Sequence, residues 1–192
     1  DIISTLIASE VEGERLSDEL IANFICLLIM AGAETSFHLM GSTLYALLTH
    51  NDAMDEISAN PDRMSLALTE TLRWESPIQV VTREVTEDVE MSGVRIEKGR
   101  DVILAIGSAN RDETRFDNPD RFDLHREGPE HIAFGFGRHY CAGSRLALLE
   151  AEVGLAALLG RLPNLRMDPD AKSMVMKGFA FRSPTALPVL FG

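Results

Sequence analysis

Cys141 lies in the run Phe134-Gly135-Phe136-Gly137-Arg138-His139-Tyr140-Cys141-Ala142-Gly143. Two glycines let a backbone turn tightly and approach a flat object closely. Placed just ahead of a helix, a cysteine sees backbone N–H donors and the positive end of the helix dipole. Both favour thiolate over thiol, and a thiolate is a soft metal ligand. Other readings of the run fit less well. A dinucleotide loop needs a third glycine three residues after Gly137, where Tyr140 stands. A zinc site needs more than one cysteine with nearby histidine, and only His139 is close. A Cys141–His139 nucleophile pair and a purely structural glycine turn remain open.

Two further constellations could act. In Glu70-Thr71-Leu72-Arg73, residues three apart share a helix face and can pair. Most such pairs are solvated bridges worth little. In Ala31-Gly32-Ala33-Glu34-Thr35, a glycine and an acid interrupt an apolar stretch. Mid-helix glycine costs stability, and an acid beside apolar residues is expensive unless served. The plain alternative is a helix whose threonine bonds back to a carbonyl.

The elements that must position these residues follow from periodicity and punctuation. Ser17 caps a helix running to about His50. Its densest apolar run, Phe24 to Ala33, is bounded by Asn23 and Glu34, which predicts a buried central helix too short to cross a bilayer. Helices follow at about 53–58 and 64–74, the second stopped by Pro77. Four β-branched runs at 80–82, 89–91, 94–96 and 102–104 predict a small antiparallel meander. Residues 107–140 read as a long loop rich in Arg, Asp, Pro and Gly, of the kind that carries function. A helix over about 143–161 and a short tail hairpin complete the chain. The expected fold class is mainly α with small antiparallel β-sheets.

Composition limits the partners. The 192 residues carry 18 Lys+Arg against 30 Asp+Glu, a net charge of −12. A broad nucleic-acid-binding surface is unexpected on that balance. Residues 1–60 hold ten acidic residues against Arg15 alone. The remainder is nearly balanced, and Arg111, Arg115, Arg138 and Arg145 could form a local basic patch for an acidic partner. Two cysteines, Cys26 and Cys141, cannot build a disulfide framework or a four-cysteine cluster. The chain opens at Asp1 in an apolar helical pattern without a charged leader, and reads as part of something longer.

The 134–143 run resembles the haem-binding loop of the cytochrome P-450 superfamily, F-G-x-G-x-[RH]-x-C-x-G, and matches every fixed position. The resemblance implies a mainly α fold with small sheets and a haem b cofactor. It assigns Cys141 as the proximal thiolate ligand and His139 to a haem propionate. Phe134, Gly135 and Gly143 shape the loop. Arg83 resembles the strand arginine that pairs with a propionate. Glu70 and Arg73 resemble a buried structural pair, and Pro119-Asp120-Arg121-Phe122 resembles the motif supplying its third member, Arg121. Ala31–Thr35 resembles the oxygen-binding groove, where the helix widens over the haem. There Gly32 makes room, Thr35 hydrogen-bonds the bound oxygen and Glu34 relays protons. Residues 77–81 and 177–180 fall where the family lines its substrate pocket.

The resemblance covers essentially all 192 residues, as the C-terminal part of a single haem-thiolate domain whose N-terminal half is not in this chain. It implies monooxygenation of a small apolar substrate, with electrons from a ferredoxin- or flavodoxin-type partner. Its style is bacterial and cytoplasmic, with no membrane segment evident. The alternatives are a haem-thiolate peroxygenase or isomerase, or a truncated non-catalytic haem-binding fragment.

Overall fold

The computed structural model describes residues 1–11, 13–171 and 174–192. They divide into two compact units, Asp1–Thr35 and Ser36–Gly192, and the boundary falls inside the longest helix.

The first unit opens with α1 (Ile2–Ala8), capped by the Asp1 carboxylate, which accepts from the Ser4 N–H at 2.9 Å. A hairpin that periodicity did not suggest follows, β1 (Glu10–Val11) against β2 (Glu14–Arg15), with Gly13 at φ +84° in its turn. Helix α2 (Asp18–Thr49) then begins. Ser17 accepts from the Leu20 N–H at 3.2 Å, which bears out the expected cap. The helix ends at Thr49, close to the expected His50. By length and composition α2 is able to cross a membrane, contrary to the sequence expectation, and only 11% of its apolar window is buried. The core helix of a soluble protein can share that length and composition.

In the second unit α2 continues to Thr49, followed by α3 (Asn51–Ala59) and α4 (Met64–Trp74). The core forms where Leu39 and Leu47 of α2, Ile57 of α3 and Leu68 of α4 meet Leu155 of α6 (Ser144–Arg161). Helix α6 packs chiefly on α4. The expected meander is corrected to a nested arrangement. Strand β3 (Val81–Glu84) pairs with β6 (Asp101–Leu104), while β4 (Val89–Met91) and β5 (Val94–Ile96) pair with each other. Ser92 and Gly93, both at positive φ, turn β4 straight back on β5 and leave the outer strands to find one another.

Helix α5 (Ile106–Ala109) opens the long loop. The tail holds two pairings rather than one hairpin. Strand β7 (Arg166–Met167) pairs with β10 (Val189–Leu190), and β8 (Met176–Lys177) with β9 (Ser183–Pro184). The expected fold class, mainly α with small antiparallel sheets, is the one observed.

Candidate functional site

The cysteine loop closes on its own backbone. The Cys141 N–H donates to the Phe134 carbonyl at 2.8 Å, and the Gly135 N–H to that of Ile132 at 2.9 Å. A 3-10 turn over Gly137–His139 lies between them, closed by the Tyr140 N–H on the Gly137 carbonyl at 3.1 Å. Gly135 at φ +76° and Gly137 at φ +68° need the left-handed region, which explains the glycines. A Cβ on Gly137 or Gly143 would meet no atom within 4 Å, so those faces of the loop are open. Phe136 is 90% exposed, whereas Phe134 packs partly buried against the core.

Cys141 is a free, half-buried thiol. It sits two residues ahead of Gly143, the N-cap of α6, and its carbonyl accepts from the Ser144 N–H at 3.3 Å. Among the described residues, no group of three or more His, Cys, Asp or Glu side chains could hold a metal ion. A metal at Cys141 would therefore need ligands beyond the side chains described. One soft donor, an open glycine-faced loop and an exposed aromatic ring fit haem, whose macrocycle brings four nitrogens. They do not fit zinc.

The loop is held from beneath by two buried polar groups. Asn110, 1% exposed, accepts from the Ile132 N–H at 2.8 Å and donates to Ser76 Oγ at 2.9 Å. It thereby ties the start of the loop to the end of α4. Arg73 meets the Glu70 carboxylate side-on, with Nε on Oε2 and Nη2 on Oε1, each at 2.8 Å. The rest of its guanidinium donates to the carbonyls of Asn110, Pro119 and Arg121 at 3.1, 2.8 and 3.0 Å. A planar fork with every N–H occupied fixes an irregular chain.

The third member of this cluster is Arg126, not Arg121. Arg126 Nε donates to both Glu70 oxygens at 3.0 and 3.3 Å, and its Nη1 and Nη2 bond the carbonyls of Asp117 and Arg121. The Arg121 side chain is 72% exposed and lies 3.9 Å from Asp123. Arg121 contributes only its backbone, because the segment wraps around Arg73 with its carbonyls inward. An irregular segment has no period from which the inward side chain could be read.

The Glu75 carboxylate is a second buried anchor that the sequence did not flag. It accepts from Arg182 Nε at 2.6 Å and lies 3.7 Å from Arg111 Nη2. Arg111 also donates to the Trp74 carbonyl at 2.7 Å and covers the Trp74 ring at 5.1 Å.

Burial holds the His131 imidazole below its ordinary range, against the opposing pull of Glu130. Its Nδ1 accepts from the Ala133 N–H at 3.3 Å.

The other expected site residues are placed as follows. His139 is exposed at the end of the 3-10 turn. Arg83 is exposed on β3 and donates to the Thr82 carbonyl at 2.8 Å. In the first unit, Ala31–Thr35 stays α-helical without interruption. Thr35 Oγ1 donates to the Ala31 carbonyl at 2.7 Å, Glu34 is exposed, and a Cβ on Gly32 would meet nothing within 4 Å. Phe134, Gly135, His139, Cys141 and Gly143 thus share one loop, and Arg83 lies on a separate sheet.

Comparison with known proteins bears on this loop. The family model described as Cytochrome P450 matches residues 1–187. A curated Cytochrome P450 of Bacillus subtilis (strain 168) is 42% identical over 193 residues, spanning 100% of this chain and 47% of its own length. A Steroid C26-monooxygenase of Mycolicibacterium smegmatis is 38% identical, over 100% of this chain and 48% of its own length. Among solved structures, ligand-free cytochrome P450 TbtJ1 superposes with a TM-score of 0.92 at 38% identity, covering 100% of this chain and 51% of that one. The chain therefore spans about half the length of the curated relatives it matches.

Proposed function

Because the chain belongs to the cytochrome P450 family, we propose that it forms the C-terminal part of a haem-thiolate monooxygenase domain acting on a small apolar substrate. The carrying observation is Cys141, a free thiol at the foot of an open glycine loop that, among the described residues, is part of no group of three or more metal-ligating side chains.

In this reading Cys141 Sγ, as thiolate, is the protein's ligand to haem b. The Cys141 N–H bonded to the Phe134 carbonyl fixes the direction of the cysteine backbone. Gly137 and Gly143 leave space for close approach, Gly135 at positive φ turns the chain, and Phe134 anchors the loop to the core. His139 and Arg83 donate to the haem carboxylates. Haem, when bound, supplies the iron at which dioxygen is activated with electrons from a donor protein. Gly32 leaves an unfilled side on α2. Thr35 Oγ1 and the Glu34 carboxylate hold and pass protons. To do so, Thr35 exchanges its bond to Ala31 for one outside the helix. The electron donor is a ferredoxin- or flavodoxin-type protein, and the setting is cytoplasmic.

The test uses the full-length natural protein containing residues 1–192, with a ferredoxin, its reductase and a panel of fatty acids, terpenes and steroids. Under labelled dioxygen, one labelled oxygen atom should enter the product and the other should leave as water. Turnover with hydrogen peroxide alone, at the rate of the coupled system, would replace this reading with a peroxygenase.

A further inference from the structure

Residues 127–143 carry the cysteine loop, and their hydrogen bonds run almost wholly among themselves. Gly135 bonds Ile132, Cys141 bonds Phe134 and Tyr140 bonds Gly137, all backbone to backbone. Apart from the junction with α6, one hydrogen bond among the described residues ties this stretch to the rest of the chain. It runs from the Ile132 N–H to Asn110 Oδ1 at 2.8 Å. The Arg73 and Arg126 guanidiniums hold carbonyls upstream, none later than Arg121. Ala133 and Phe134 pack on the core, but apolar contact is non-directional.

The Asn110 carboxamide is held at both ends. Its Nδ2 donates to Ser76 Oγ at 2.9 Å and to the Leu72 carbonyl at 3.4 Å. Ser76 Oγ gives its own hydrogen to that same carbonyl at 2.5 Å, so it receives from Asn110. A carbonyl only accepts, so the amide faces α4 with its nitrogen and the loop with its oxygen. Asn110 and Ser76 are each 1% exposed. The Asn110 backbone is fixed as well, its N–H on the Ile106 carbonyl at 3.0 Å and its carbonyl on Arg73 Nη1 at 3.1 Å. Ser76 is steadied in turn by Gln79, whose Nε2 donates to the Ser76 carbonyl at 2.7 Å and whose carboxamide fills the place of a Cβ on Gly107. Asparagine alone suits this position. Aspartate has the shape without the donors, and leucine has the bulk without either end.

We propose that Asn110 is a positioning residue for Cys141, a directional joint between α4 and the cysteine loop that keeps the thiol in place as a metal ligand. It acts through Ile132, and the proposal rests on the haem-thiolate reading above. From Ile132 the constraint passes along the loop backbone. The Ile132 carbonyl holds Gly135, and the Phe134 carbonyl between them holds Cys141. A buried network of this kind fixes geometry only while each member is paired. Slackening the joint therefore frees the Cys141 peptide before the helical core is disturbed.

The test is made on the full-length haem protein and its Asn110→Leu and Asn110→Asp variants. Reduced, carbon monoxide-bound samples are titrated with urea. Absorbance follows thiolate ligation, and circular dichroism follows the helices. In Asn110→Leu, which removes both ends of the joint, the thiolate-type spectrum should be lost at lower urea, widening its gap to the helix transition relative to the wild type. Asn110→Asp keeps an oxygen for Ile132 and removes the donors to α4, so its gap should widen less. Where Asn110→Leu does not fold, Asn110→Asp decides. Amide hydrogen exchange at Ile132 should quicken about tenfold in Asn110→Leu, the loss of one hydrogen bond, and by more than exchange at Leu68 in the core. A gap unchanged in the variants overturns the proposal and assigns Asn110 to general stability. So does Ile132 exchange that is unchanged, or that rises only in step with Leu68. Wild-type protein without a thiolate-type spectrum overturns the haem-thiolate reading itself.

Discussion

Arg73 and Glu70 meet through two parallel hydrogen bonds of 2.8 Å, with side chains 3% and 5% exposed. The pair is buried, and its remaining donors hold three carbonyls of the segment that leads to the cysteine loop. Removing one partner of such a pair leaves a buried charge uncompensated, at a cost of about 3–5 kcal/mol. Arg73→Ala should therefore give insoluble or haem-free protein. Arg73→Lys should recover little, since an ammonium cannot make the fork. Urea denaturation and haem content check both variants, and a stable, haem-loaded Arg73→Ala would contradict the role.

Arg126 and Arg121 should separate cleanly. Arg126→Ala removes donors from Glu70 and from three carbonyls, and should destabilise by about 2 kcal/mol. Arg121→Ala removes an exposed side chain and should shift stability by about 0.5 kcal/mol or less. The midpoints of urea unfolding decide, and the reverse order would restore Arg121 as the third member.

His131 should make stability depend on pH. Burial holds its folded-state pKa below the unfolded value of 6.5. Between those two values the unfolded chain binds a proton that the folded chain refuses, so stability rises with pH across that window. The contribution is complete above 6.5 and is lost as pH falls toward the depressed folded value. The imidazole proton resonance should titrate below its ordinary position, and His131→Gln should flatten the slope between those pH values. A resonance that titrates at or above 6.5 would contradict the sign.

Thr35→Ala removes a hydroxyl that bonds within α2, so folding should change by about 0.5 kcal/mol or less. In the proposed chemistry that hydroxyl also carries a proton. The variant should keep haem and divert reducing equivalents into hydrogen peroxide, measured as peroxide formed per reduced cofactor consumed. Unchanged coupling would remove Thr35 from the proton path.

The parts of this account that were legible in sequence are those with a fixed spacing. The i, i+3 relation of Glu70 and Arg73 places them on one face of a helix, and the glycine spacing of 134–143 describes a loop whose positive φ values the backbone then adopts. Contacts without a period were not legible. Arg126 reaches Glu70 across 56 residues, and Arg182 reaches Glu75 across 107. The β3–β6 pairing was hidden for a related reason. A hairpin that closes on itself between two strands leaves each outer strand looking like the neighbour of the inner one. On α2, apolar density predicted a central helix buried on most sides. Apart from Ile21, its buried positions begin at Ser36, while Leu27, Ile29 and Met30 are exposed.

The assignment of Cys141 as the thiolate ligand is tested most directly by the reduced, carbon monoxide-bound absorbance spectrum of the full-length protein and its Cys141→Ser variant. Thiolate ligation predicts a thiolate-type, red-shifted Soret band in the wild type that is lost in the variant, with the fold of both intact by circular dichroism. A band that survives in Cys141→Ser would contradict the assignment.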